Sequence, residues 1–123
     1  MAIRAIHEEL LTEHGGLASP VNEEMFAATL ARPQNLLVYG NPAPSLYQLA
    51  AAYGFGFAKN HCFNDGNKRI ALATIDVFLQ LNGFELVASE PETVTVMLQL
   101  AAGELSEAGL VSWIEGNTSA ISP

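Results

Sequence analysis

Apolar residues recur at helical spacing along most of this chain, separated by short breaks rich in Gly, Pro, Asn and Ser. Ile3, Ile6, Leu10 and Leu11 share one face of a helix over about residues 2–14, which Gly15-Gly16 ends. Asn22 caps a second helix, with Glu23 and Glu24 in the first turn where the dipole favours acids, and Pro33 closes it. Leu36 to Tyr39 reads as a small strand or hairpin arm before the turn residues Gly40-Asn41-Pro42-Ala43-Pro44. Ser45 caps a third helix running to about Asn60. Its Leu46, Leu49, Ala50, Tyr53 and Phe57 cover more than one face, which predicts a central position in the core.

A fourth helix carries Ile70, Leu72, Ala73, Ile75, Val77, Phe78 and Leu79 and ends at Asn82-Gly83, with Phe84 to Val87 as a short extended piece. Ser89-Glu90-Pro91-Glu92 has the form of a capping box with proline in the first turn, and the helix it opens stops at Gly103. Ser106 starts a last helix bearing Leu110, Val111, Trp113 and Ile114, and the polar tail from Gly116 is expected to fray. The expectation is an all-α fold of about six helices with minor strand content, a single domain over residues 1–123.

Composition narrows the partners. Half of the 123 residues are hydrophobic and 15% are charged, which opposes disorder. No apolar run reaches the ~20 residues of a membrane helix, and no signal-peptide pattern opens the chain. One cysteine, Cys62, allows no internal disulfide, which fits a cytoplasmic location. Net charge is −8 with five Lys and Arg, a balance opposed to direct nucleic-acid binding. Three of those five cations, Lys59, Lys68 and Arg69, fall within one short stretch around His61. Such concentration of scarce positive charge points to a small polyanion, and a nucleotide is the natural candidate.

The chemistry gathers in His61-Cys62-Phe63-Asn64-Asp65-Gly66-Asn67-Lys68-Arg69, directly before the fourth helix. A loop of this kind aims backbone N–H groups and cations at one spot, which suits phosphate. His61 titrates near neutral pH and can take a proton from an attacking hydroxyl. A lone histidine at a helix end more often satisfies a carbonyl; these neighbours tip the balance toward chemistry. Asp65 can hold Mg²⁺ on nucleotide phosphates or orient a hydroxyl, and Asn64-Asp65-Gly66 is also ordinary turn chemistry. Gly66 permits positive φ and close backbone approach to an anion. Asn67 is expected to cap the helix, its amide and that of Asn64 also available to the ligand. Lys68 and Arg69 then stand in the first turn, where the dipole disfavours cations unless an anion lies between. Arg69 can bind phosphate in bidentate fashion. Phe63 reads as a core anchor, Cys62 as packing rather than nucleophile, and His7 and His14 as surface or packing residues.

This run resembles the signature of the Fic/Doc superfamily, His-x-Phe-x-(Asp/Glu)-(Gly/Ala)-Asn-(Gly/Lys)-Arg. Lys68 at the eighth place is similar to the death-on-curing (Doc) branch. Gly15-Gly16-Leu17, Leu30-Ala31-Arg32-Pro33-Gln34 and Leu81-Asn82-Gly83-Phe84 extend the likeness over most of the chain. The resemblance implies a compact helical fold whose motif loop binds nucleotide. It further implies a toxin that transfers the γ-phosphoryl group of ATP, with Mg²⁺, to a threonine of elongation factor Tu and so arrests translation. His61 would be the base, Asp65 the orienting or metal-linked acid, and Asn67, Lys68 and Arg69 the phosphate-holding set. Asn64, Gly66 and Lys59 complete the anion site. Leu36 to Tyr39 corresponds to the family's flap, which holds a target's backbone like an added strand.

Fic relatives with glycine at the eighth place transfer AMP, so adenylylation is the alternative activity, and an idle binding member of the fold is a third reading. The resemblance also implies a Phd-like antitoxin acting in trans. Ser112-Trp113-Ile114-Glu115-Gly116 is one residue short of the family's internal inhibitory motif, and one residue turns a helical side chain by about 100°. The chain departs from the common pattern at Cys62, where proline or an aliphatic is usual, and at Ile70, where threonine is usual.

Overall fold

The computed structural model describes residues 22–60 and 66–121. The helix expected over residues 2–14 lies outside them. Within them the protein is mostly helical: α1 (Glu23–Tyr39), α2 (Leu46–Lys59), α3 (Asn67–Leu81), α4 (Glu90–Ala101) and α5 (Glu107–Gly116), with β1 (Phe84–Leu86) between α3 and α4 and β2 (Thr118–Ala120) after α5.

Four of these helices start where side-chain caps place them. Asn22 Oδ1 accepts from Met25 N at 3.1 Å. Ser45 and Gln48 form a reciprocal capping box, each side chain accepting from the other's backbone N–H. Ser106 Oγ accepts from Gly109 N at 3.0 Å. At Ser89 only half of the expected box forms: its hydroxyl accepts from Glu92 N at 3.3 Å. The Glu92 carboxylate instead accepts from the Trp113 indole N–H at 3.4 Å, tying α4 to α5.

α2 is the central helix, as its broad apolar content predicts. It packs against α1, α3, α4 and α5, and Ala50, Ala51, Ala52, Gly54, Phe57 and Ala58 are buried. Small residues let the neighbours come close. A Cβ on Gly54 would stand 2.7 Å from Ile75 Cγ1, well inside contact distance. Phe57 meets Phe26 of α1 in a tilted ring pair at 6.0 Å, and Tyr53 meets Phe78 of α3 at 5.4 Å. Ile70, Ile75, Leu79, Leu100, Leu110 and Ile114 complete one shared apolar cluster.

Two expectations fail, each for a physical reason. Pro33 does not close α1, and Leu36 to Tyr39 is neither strand nor flap but the last turn of that helix. Proline in a helix interior costs about 3 kcal/mol through its missing N–H and its ring clash. Here the ring is buried and lies on the stripe Phe26, Thr29, Pro33, so the packed face continues through it. The described part of the polar tail does not fray either. Thr118–Ala120 pairs antiparallel with Phe84–Leu86, Phe84 opposite Ala120 and Leu86 opposite Thr118. Val87 N to Asn117 O (2.7 Å) and Ile121 N to Gly83 O (2.9 Å) close the ladder at both ends. The extended piece expected at Phe84 to Val87 is thus present as β1, while its partner is the chain's tail and not the segment Leu36 to Tyr39.

Candidate active site

Both stems of the nine-residue motif are described; His61, Cys62, Phe63, Asn64 and Asp65 lie outside the described residues, as do His7 and His14. The trailing stem is the start of α3. Gly66 is its N-cap, at φ 81° and ψ 12°, a left-handed conformation that costs an L side chain roughly 1–2 kcal/mol. Asn67 is therefore the first helical residue and not the cap that its type predicts. Ile70 N donates to Gly66 O at 2.9 Å, and Ile70 and Ala71 are fully buried, fixing this helix end against α2. Thr74 Oγ donates to Ile70 O at 2.6 Å beneath them.

On this anchored base Lys68 and Arg69 are exposed in the first turn, which contains no acidic residue. A helix N-terminus that begins with glycine has no capping side chain of its own, and its dipole carries partial positive charge. Two cations add to that charge. The arrangement fits an anion such as a nucleotide phosphate, which the backbone, the ammonium and the planar guanidinium fork can hold together.

The leading stem is the end of α2. Asn60 is its C-cap in right-handed helical geometry, and its backbone N–H donates to Gly56 O at 2.9 Å. Lys59 occupies the last helical position. Its Nζ lies 3.3 Å from the point a Cβ on Gly103 would take, against the C-terminal end of α4. A cation there meets the negative end of a helix dipole, so Lys59 has a structural setting beside the phosphate role expected of it.

Sequence reasoning missed the contact that secures this stem. Asn60 Nδ2 donates to Thr29 Oγ1 at 2.8 Å, and Thr29 Oγ1 donates in turn to Met25 O at 2.7 Å. Nothing in a single sequence pairs residues 31 positions apart. The clue was local: an asparagine ends the helix immediately before the motif histidine.

Among the described residues no three His, Cys, Asp or Glu side chains gather as a metal site, and no helix is long and apolar enough to cross a membrane. Burial pushes the Tyr53 phenol above its ordinary pKa. A groove of about 490 Å³ lies at the other end of α1, bounded by Leu36, Pro42, Gln48 and Val111 and spanned by Arg32 Nη1 to Glu107 Oε1 at 2.6 Å. None of its described lining residues belongs to the motif.

An all-α fold in which a helix start with two exposed cations directly follows the histidine-bearing segment of the motif is the setting for the comparison with known proteins. The sequence profile of the Fic/DOC family matches residues 1–79. The chain is 32% identical over 102 residues to "Protein kinase doc" of Escherichia phage P1, covering 83% of this chain and 79% of that protein. It is 48% identical over 62 residues to "Toxin Doc" of Mycolicibacterium smegmatis, half of this chain and 47% of that relative's length. The chain belongs to the Fic/DOC family.

Proposed function

We propose that this protein is a Doc-like toxin of a toxin–antitoxin pair that moves the γ-phosphoryl group of ATP to a hydroxyl of a protein. The observation that carries the reading is the start of α3: a left-handed Gly66 cap followed by exposed Lys68 and Arg69 with no acid in the turn. The names of the two relatives, one a protein kinase and one a toxin, support it.

ATP with Mg²⁺ supplies the phosphoryl group and part of the charge neutralisation when bound. As the hydroxyl oxygen bonds to the γ-phosphorus, the bond from that phosphorus to the β–γ bridging oxygen breaks, ADP leaves with that oxygen, and His61 takes the hydroxyl proton. Asp65 orients that hydroxyl or holds the metal ion on the phosphates. Asn64, Gly66, Asn67, Lys68 and Arg69 hold the phosphates, and Lys59 adds positive charge at the other stem. The target is a threonine of elongation factor Tu, whose modification stops translation in the cytoplasm, and a Phd-like antitoxin restrains the activity in trans.

Lys68 favours phosphoryl over AMP transfer, because its side chain fills with charge the space that glycine leaves open in AMP-transferring relatives. Wild type and Lys68→Gly are incubated with elongation factor Tu, Mg²⁺ and ATP labelled at the α- or the γ-phosphate. The expected result is γ-label on the target with wild type and a sharp fall with the variant. α-label with wild type would replace the kinase reading by adenylylation, and no label from either position would favour an idle binding member of the fold.

A further inference from the structure

The proposed base, His61, follows the end of α2 directly in sequence, and a polar tie holds that helix end. Asn60 sits one peptide bond before His61. Its amide donates to Thr29 Oγ1 at 2.8 Å, and that hydroxyl donates to Met25 O at 2.7 Å. The relay thus runs from a backbone carbonyl of α1 to the last side chain before the motif. Thr29 is 2% exposed, so water competes little for these bonds. The neighbouring packing is equally tight: a Cβ on Gly56, one turn before Asn60, would stand 2.8 Å from Thr29 Cγ2. α1 therefore touches the end of α2 through the methyl and the hydroxyl of one residue.

We infer that Thr29 and Asn60 are positioning residues that set the direction in which the chain leaves α2 and so the placement of His61. The inference rests on the reading of His61 as the base. It assigns to α1 a role in the reaction that burial alone does not require, since valine fills the same volume as threonine. The hydroxyl is the distinguishing group. Without it the Asn60 amide loses its acceptor, and the loop stem loses a directional bond while the apolar packing stays.

The test compares wild type with Thr29→Val, Thr29→Ser and Asn60→Ala in two readouts. One is the nuclear magnetic resonance of histidine-labelled protein, in which three imidazoles report separately. The other is the split between kcat and KM for phosphoryl transfer. Thr29→Val and Asn60→Ala are expected to move or broaden the His61 signals and leave those of His7 and His14 in place. They should also lower kcat on the order of 10²-fold at nearly unchanged KM for ATP, the scale of a misplaced catalytic group. Thr29→Ser should restore both. Unmoved His61 signals in folded Thr29→Val and Asn60→Ala would overturn the inference. A parallel loss of thermal stability that serine does not rescue would overturn it too, by reducing Thr29 to packing. If wild type transfers nothing, the proposed activity fails, and the His61 signals alone still decide the positioning.

Discussion

The start of α3 breaks rules that the other four described helices obey. Asn22, Ser45, Ser89 and Ser106 each offer a side-chain oxygen to a backbone N–H of the first turn. Glutamates follow three of those caps, at Glu23 and Glu24, Glu90 and Glu92, and Glu107. α3 begins instead with a left-handed glycine, no side-chain cap and two exposed cations. Two of these departures cost stability in isolation, the missing cap and the repulsion of the cations from the dipole, while glycine takes the left-handed conformation without a Cβ penalty. Sequences keep such local conflicts where a function requires them. Here the conflict is offset from below by the buried Ile70 and Ala71, and the proposed phosphate would remove the electrostatic part from above. Four helix starts carry the usual caps, and the fifth is the one to which the proposed function assigns a ligand.

The largest expected effect follows from separating chemistry from stability at that one start. His61→Ala should lower phosphoryl transfer by about 10²–10⁴, the usual worth of a general base. The melting temperature should stay where wild type has it, because the side-chain caps of the other four helices come from Asn22, Ser45, Ser89 and Ser106. Transfer at near wild-type rate in the purified variant would remove His61 from the mechanism.

A smaller pair of substitutions sets the two kinds of helix start against each other. Gly66→Ala forces a Cβ into φ 81° and should destabilise by about 1–2 kcal/mol while also reducing transfer. Ser106→Ala removes the Gly109 contact and should cost about 1 kcal/mol with transfer unchanged. Denaturant unfolding and the γ-label assay on both variants give the comparison directly. Equal loss of transfer in the two would mean that global stability, and not the geometry of the α3 start, limits activity.

How far the sequence could be read depended on the range of the interactions. Caps are local, so Asn22, Ser45, Ser89 and Ser106 announced their helices, and the broad apolar content of residues 46–57 announced the central one. Pro33 misled because the rule against proline in helices weighs one hydrogen bond and one clash. It takes no account of the stripe from Phe26 through Thr29 that buries the ring. β2 was illegible for the opposite reason. Thr118-Ser119-Ala120 has little strand preference of its own, and its partner lies more than thirty residues away at Phe84–Leu86. At the candidate site the residue types and order of the motif were plain in the sequence. The left-handed cap displaced from Asn67 to Gly66, and the Thr29–Asn60 tie, needed the fold.

The smallest effect is expected where the sequence drew attention and the structure shows only a surface link. Arg32 falls within Leu30-Ala31-Arg32-Pro33-Gln34, one of the stretches that resembles the family, and it pairs with Glu107 at the start of α5. The pair is short, yet the two side chains keep 51% and 25% of their surface in solvent. Water and salt screen such a pair, and ordering two long side chains costs entropy, so its worth is under about 1 kcal/mol. Arg32→Ala should therefore shift the unfolding midpoint slightly, less at high salt than at low, and leave γ-label transfer at the wild-type rate. The groove that the pair spans holds no described motif residue, so an effect on chemistry would have to travel along α1 to Thr29 and Asn60. A large loss of transfer in Arg32→Ala with stability intact would show that α1 couples the groove to the loop stem, and the contrast between one functional helix start and four structural ones would no longer hold.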